Sequence, residues 1–594
     1  MPRRAHCHAH TLFPAAMAAL SLPLLISVMV VLLATAPTTQ CHPHKHHGHA
    51  AKAAFAPPAT THAICHTTPN PASCLASAAV HLDAAHIAAS SVAVTLLPAN
   101  ILSVALASLR GALAAVSSLS PVLSTTLSAP SPSPLRRGAA QDCLELHAAT
   151  LDSLSRSASL LLTSPGEGLP AVRAHLSAAL TNKATCLDGL AGASGPRMDG
   201  LLSSLDDAYE HVSNSLSLVA RRGGAGGPAS SSFQATVAKI IHHNRRLLQD
   251  DDDDDSDDSG GNDDGNNNSG DDNGNGEGNG SGETVITVAK DGTGNFRTVG
   301  EAVAAAPDRS DARTVIRVKA GTYEENVEVP ASKTNIALVG EGRDVTVITG
   351  SRSAADGWTT FRTATVGVAG EGFLARDIAF RNTAGAARGQ AVALRVSADR
   401  AALYRCAVEG HQDALYAHSF RQFYRDCAVS GTVDIVFGNA AAVLQACSLL
   451  ARAPLPGQSN VLTAHARSGP DQDTGFAVHG CVVEASPELH RGTRTFLGRP
   501  WGAYARAVVM ESHLGAHVDR VGWTGWPGAE EGRADTVYFG EYGNDGPGAA
   551  TDSRVGWAGY HEMEYDEVAQ FAVDKFIYGD DWLAATSFPY DDGI

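Results

Sequence analysis

Gly410-His411-Gln412-Asp413 and Gly431-Thr432-Val433-Asp434 occupy matching places behind two successive tyrosine–arginine segments, Tyr404-Arg405-Cys406 and Tyr424-Arg425-Asp426-Cys427. The two aspartates are 21 residues apart, and so are Cys406 and Cys427. An equal offset at independent positions marks one structural unit used twice. In a coiled β-solenoid, residues one coil apart stack at about 4.8 Å. The offset therefore predicts Asp413 and Asp434 side by side on one face. Two carboxylates that close do not both ionise easily, so their pKa values split. One becomes an acid and the other a nucleophile or base, which is the equipment for ester or glycoside hydrolysis.

The rest of the carboxyl-terminal half carries the same stamp. From residue 284 onward, short β-branched segments alternate with glycine-rich turns, with strands expected over 314–318, 335–339, 345–348, 373–380, 391–396, 402–408, 423–429 and 442–449. Regular spacing without helices between the strands suggests a sandwich, a barrel or a β-helix, and the repeated offsets favour the β-helix. Cys447 follows Cys427 by 20 residues. A Cys406–Cys427 disulfide across adjacent coils is expected, leaving Cys447 to pair with Cys481.

A chain of 594 residues is too long for one core. Four segments are read. Residues 1–40 hold arginines followed by an uncharged stretch, the pattern of a secretory signal or, given its length, a signal-anchor. Residues 55–220 are rich in Ala, Leu and Ser, with apolar residues at helical spacing. They predict an all-α four-helix bundle pinned by Cys65, Cys74, Cys143 and Cys186. Residues 221–283 contain Arg245-Arg246-Leu247-Leu248 and then an Asp/Asn/Gly/Ser run too polar to bury a core. A dibasic site beside an exposed linker is open to proteolysis, and a subtilisin-like processing protease is the expected partner there. Asn267 and Asn279 head N-x-S sequons. Residues 284–594 form the β segment.

The net charge of −18 argues against a nucleic-acid partner. Of the ten cysteines, Cys7 and Cys41 lie in or beside the targeting segment, and no CxxC pair suggests a zinc site. The histidine-rich stretch 42–49 reads as a processed tail rather than a metal site.

Five motifs occur in order: Gly321-Thr322-Tyr323-Glu324-Glu325, Gln390-Ala391-Val392-Ala393-Leu394-Arg395, Gln412-Asp413, Gly431-Thr432-Val433-Asp434 and Leu497-Gly498-Arg499-Pro500-Trp501. Together they resemble the signature set of plant pectin methylesterases, and residues 61–219 resemble the pectin methylesterase inhibitor domain. The resemblance implies a pro-enzyme whose catalytic part is an all-β, right-handed parallel β-helix acting on the C6 methyl esters of homogalacturonan in the cell wall. It implies Asp434 as nucleophile, Asp413 as general acid and then base, and Gln412 and Gln390 as oxyanion donors. Arg499 would hold Asp434 ionised, and Trp501 and Thr360 would contact substrate. Tyr416, Phe437 and Trp523 are further candidates for groove walls, with a core position as the default. The proposed chemistry requires no metal or organic cofactor.

The sequence departs from the family pattern at Ala414, Ile435 and His465. Ile435 replaces an aromatic and is expected to loosen substrate packing. Pectate lyases and polygalacturonases share the architecture, but neither a calcium-binding acidic cluster nor a three-aspartate arrangement is found. The remaining alternative is a helical domain that inhibits esterases, joined to a weak or inactive catalytic part.

Overall fold

The computed structural model describes residues 59–88, 101–127, 133–191, 196–221, 284–528 and 533–594, all within the compact unit Ala56–Ile594. The targeting segment, Cys7, Cys41, the histidine stretch, Arg245, Arg246, Leu247 and Leu248, and the Asn267 and Asn279 sequons lie outside the described residues.

Among the described residues, six helices come first: α1 (Ala59–Cys65), α2 (Pro71–Ala88), α3 (Ile101–Leu127), α4 (Pro134–Thr163), α5 (Leu169–Gly189) and α6 (Pro196–Ala220). The last four form the bundle, and the α1–α2 pair packs at its side. Helix α3 buries Val104, Leu109, Ala112, Val116, Leu119 and Leu123, the three- and four-residue rhythm of one apolar stripe. It is long and apolar enough to cross a bilayer, yet that stripe faces the bundle core. Helix α4 starts cleanly because Pro134 sits in its first turn and the Ser133 hydroxyl accepts the Arg136 N–H. Disulfides Cys65–Cys74 and Cys143–Cys186 tie α1 to α2 and α4 to α5.

From Thr284 the chain winds into a parallel β-helix of three sheets, with 11, 7 and 8 strands, every pairing parallel. Its interior is built of stacks. Ile316, Leu338, Ala375, Leu403, Tyr424, Leu444, Val478 and Val509 pair in unbroken register through eight coils. The short helix Val299–Ala305 caps one end, its Val299 and Gly300 N–H groups donating to the Glu325 carboxylate. Carboxyl-terminal turns carrying Phe571, Phe576, Trp582 and Phe588 cover the outer face of the 11-stranded sheet.

Two expectations are corrected. Segments read as single strands over 373–380, 402–408, 423–429 and 442–449 are each two strands in different sheets. A single left-handed residue turns the corner between them: Asp377, Arg405, Asp426 and Ala446, with φ of 55°, 51°, 51° and 53°. One residue of positive φ redirects the backbone without breaking the apolar run, so hydrophobic pattern alone does not reveal the corner.

The second correction concerns the residues just after these corners. Cys406, Cys427, Cys447 and Cys481 stack in register inside the solenoid as four buried, unpaired thiols. Same-facing Cβ atoms one coil apart sit about 4.8 Å apart, beyond the roughly 3.8 Å of a disulfide. The stack is held by weak bonds instead: the Cys447 thiol meets the Tyr424 carbonyl of the preceding coil at 3.4 Å, and the Cys447 N–H donates to Cys481 Sγ at 3.3 Å. Alkylation of the denatured, unreduced chain should therefore label Cys406, Cys427, Cys447 and Cys481. Peptides holding Cys65–Cys74 and Cys143–Cys186 should stay linked. Mass spectra showing the solenoid four unlabelled would mean that the ladder oxidises.

Candidate active site

The outer face of the seven-stranded sheet carries one lateral row: Glu328, Gly367, Arg395, Tyr416, Phe437, Ala464 and Arg499. Alternation along each strand puts these side chains outward while Leu394, Leu415 and Val436 point in. A Cβ on Gly367 would overlap the Glu328 carboxylate, so the glycine leaves room for the 2.9 Å Arg395–Glu328 pair. Tyr416 and Phe437 stack with ring centres 4.1 Å apart. Two guanidinium groups thus bracket an aromatic floor.

Asp413 and Asp434 precede their strands at equivalent corners, both left-handed at φ 65° and 54°. Aspartate tolerates that conformation better than most residues. Leu415 pairs with Val436, so the aspartates are lateral neighbours, and the Asp413 N–H donates to the Val433 carbonyl at 3.0 Å. Arg499 donates Nε to Asp434 Oδ1 at 2.8 Å and Nη2 to Oδ2 at 2.6 Å, and its guanidinium lies over the Trp526 ring at 4.3 Å. Burial pushes the Asp413 carboxyl well above the ordinary range, and the Asp434 charge beside it pushes the same way. Burial also raises Asp434, but the bidentate hydrogen bonds and charge of Arg499 oppose it. The proton shared by the pair therefore rests on Asp413 and the negative charge on Asp434.

One cavity of about 430 Å³ gathers Asp413, Asp434, Gln412, Gln390, Arg499, Trp501 and Thr360, with Tyr416 and Phe437. Trp523 is elsewhere: it is 1% exposed in the solenoid core, its indole N–H donating to Glu541. Trp358 and Phe361 also line the cavity, and a further aromatic absent from the sequence reading is Trp526, stacked near Trp501 in the cavity wall. Its only signal was the Trp523-Thr524-Gly525-Trp526 spacing, which does not say which indole faces out. Ile435 does not line the cavity. It is fully buried in the solenoid core, because the left-handed Asp434 turns the next side chain inward. The expectation of looser substrate packing there is withdrawn. Ala414 is likewise buried, and His465 lies in the interior against Phe476, its ring kept neutral by burial.

Helices α4 and α5 lie across this cavity. Asp142, Thr185 and Asp188 line it from the helical side. Thr185 meets His418 Nε2 at 2.9 Å, Asn439 donates to Thr181 at 2.8 Å, and Arg173 pairs with Asp473 at 3.0 Å. The bundle core runs continuously into Phe361, Tyr416 and Phe437. No local sequence signal announces these contacts, since they join side chains more than 200 positions apart.

A family model described as Pectinesterase matches residues 285–580, and one described as Plant invertase/pectin methylesterase inhibitor matches residues 59–218. Probable pectinesterase/pectinesterase inhibitor 12 of Arabidopsis thaliana is 44% identical over 536 residues, 89% of this chain and 93% of that protein. The chain belongs to the pectinesterase family. Pectinesterase 2.1 of Solanum lycopersicum is 51% identical over 311 residues, 52% of this chain and 56% of that protein. The solved pectin methylesterase from carrot matches with a TM-score of 0.51 and 49% identity, covering 54% of this chain and all of that one. The matched length corresponds to the β-helix of this pectinesterase without its helical part.

An acid whose pKa is raised by folding costs stability once pH exceeds its unfolded value, and the cost grows until its folded value is passed. Asp413→Asn should therefore raise the melting temperature of this pectinesterase more at pH 8 than at pH 4. Equal shifts at both pH values would mean that Asp413 carries no such burden.

Proposed function

We propose that the β-helix hydrolyses the C6 methyl esters of homogalacturonan, releasing methanol and a galacturonate carboxylate. The observation that carries this reading is the asymmetry of the dyad: both guanidinium hydrogen bonds of Arg499 go to Asp434. Asp434 is then the nucleophile. A carboxylate is a weak nucleophile in water, and positioning with desolvation makes it competent. Its oxygen attacks the ester carbonyl, and the side-chain amides of Gln412 and Gln390 receive the oxyanion. Collapse expels the methoxy oxygen, which takes the Asp413 proton and leaves as methanol. Asp413, now a carboxylate, draws a proton from water. That water opens the Asp434 acyl intermediate, freeing the product as a carboxylic acid that gives its proton to solvent, and both aspartates return to their starting states. Trp501 offers a flat apolar face for a sugar ring, and Thr360 a hydroxyl at the cavity rim.

In the same reading the helical region is a pro-domain that blocks the cleft until it is released. Cleavage at Arg245-Arg246-Leu247-Leu248 by a subtilisin-like protease would free the β-helix in the cell wall. The amino-terminal segment would serve as secretion signal or temporary anchor. The position of α4 and α5 over the dyad supports this.

Methanol release from highly methylated pectin tests the assignment. The β-helix of residues 284–594 should release methanol without shortening the polymer, and Asp434→Ala should abolish release. Gln412→Ala should lower kcat about 10²- to 10³-fold, the usual loss for one oxyanion donor. Chain cleavage would point instead to a lyase or polygalacturonase. A folded but inert β-helix beside an inhibitory bundle would favour the inhibitor reading.

A further inference from the structure

A groove rich in cationic side chains lies outside the cleft. It opens at the end of the eight-stranded sheet, beside the neighbouring strands Val482–Ala485 and His513–Leu514, and has a volume of about 880 Å³. Loops 486–494 and 515–520 form its walls and bring His490, Arg491, Arg494, His513, His517 and Arg520 to it. None of its lining residues lines the cavity of Asp413 and Asp434. Backbone bonds fix the walls: the Gly515 N–H donates to the Val483 carbonyl at 3.0 Å, and the Asp519 N–H to the Thr495 carbonyl at 2.8 Å. A Cβ on Gly515 would fall 2.8 Å from the His517 ring, so the glycine lets that ring fold back into the wall. Burial lowers the His517 pKa against the pull of the Glu484 charge, and His513 Nδ1 meets Asp545 at 2.8 Å. The permanent charges are the arginines. Arg491 is exposed and has no ion pair among the described residues. Arg520 donates to the Ser553 hydroxyl at 3.1 Å and reaches Asp552 only at 3.6 Å, with both charged side chains more than two-thirds exposed. Solvent leaves such a pair little strength. Arg494 binds Asp519 and lies over the Phe496 ring at 4.7 Å. Three guanidiniums therefore face two lining carboxylates, Glu484 and Asp519, in a segment that holds 28 Lys and Arg against 38 Asp and Glu.

Resting on the esterase reading above for the identity of the anion, we infer that this groove binds a run of free galacturonate units, the anionic polymer that the reaction leaves behind. Such a polymer presents a carboxylate on every sugar. Arg491 and Arg520 stand on different walls, so one strand laid along the groove meets both, and each guanidinium offers a planar fork of N–H donors that a carboxylate accepts. A methylated strand lacks the charge and gains little from either. The groove is open while the helical region is in place: His490, Arg491 and Arg520 are exposed in the whole chain, whereas α4 and α5 lie across the cleft. The precursor therefore rests on de-esterified pectin before its cleft is uncovered. The short reach of these contacts lets a local positive groove hold an anion against the negative field of the segment around it.

The test uses the full chain, in which the helical region covers the cleft. Calorimetric titration with fully de-esterified decagalacturonate should show binding that weakens as salt is raised. The fully methylated oligomer should bind about tenfold more weakly. Arg491→Gln combined with Arg520→Gln should lower the affinity for decagalacturonate about fivefold, the scale of two exposed charge pairs. Arg317→Gln, at an exposed arginine of the eleven-stranded sheet, should leave it unchanged. No binding by the full chain, or unchanged affinity in the folded double variant, would overturn the inference. Equal affinity for polyglutamate of the same charge would overturn galacturonate as the ligand. Should the double variant not fold, phenylglyoxal labelling of the unsubstituted chain decides: decagalacturonate should protect Arg491 and Arg520, and full labelling of both in its presence would also overturn the inference. Methanol release by residues 284–594 is measured separately. Absence of methanol from every pectin, with oligomer binding retained, would sink the esterase reading and leave the groove standing.

Discussion

Strict in-register stacking of parallel coils is the constraint on which the rest of this molecule depends. It sets the spacing of the interior ladders, and it fixes Asp413 beside Asp434 at a separation neither residue would choose in water. The repulsion is tolerated because the two corners are rigid. Each aspartate occupies the same left-handed backbone position, with strands of the seven-stranded sheet running on from it. Arg499 then breaks the symmetry. Its place in the lateral row, two strands beyond Phe437, brings its fork to Asp434. Backbone register thus turns two chemically identical side chains into an acid and a carboxylate.

Much of this was legible in the sequence because solenoid register is written as a constant offset. The 21-residue spacing of Asp413 and Asp434 predicted lateral neighbours, and the paired strands on which they sit are one coil apart. The helical pattern of α3 to α6 was equally plain from its apolar spacing. What failed did so for identifiable reasons. The same offset that aligns Cys406 with Cys427 makes their Cβ atoms face the same way, which defeats the disulfide it first suggests. Corner residues such as Asp377 and Ala446 have nothing in common but their φ, so they are invisible to residue type. Ile435 was misplaced because the turn at Asp434 inverts the in–out alternation expected of a continuous strand. The meeting of Asp142 with Thr359 and Arg362 is a long-range contact between two segments whose local patterns are each complete.

Charge gives that contact its significance. Residues 284–594 hold 28 Lys and Arg against 38 Asp and Glu. An acidic protein should be repelled by a polymer that becomes more anionic with every ester removed. General electrostatics would then drive the enzyme off its product. The contact of Arg362 with Asp142 and Glu145, at 2.6 and 3.0 Å, acts against that background at short range, where local geometry outweighs screened long-range repulsion.

The same division explains why the helical region presents acids here. A neutral or basic side chain over Arg362 would leave a half-buried guanidinium without a partner, at a cost that rises as the cavity is closed. Asp142 and Glu145 supply the charge the closed cleft lacks. Closure of the cleft by the helical region therefore draws on a single electrostatic demand, set by a cation whose two carboxylate partners both belong to α4.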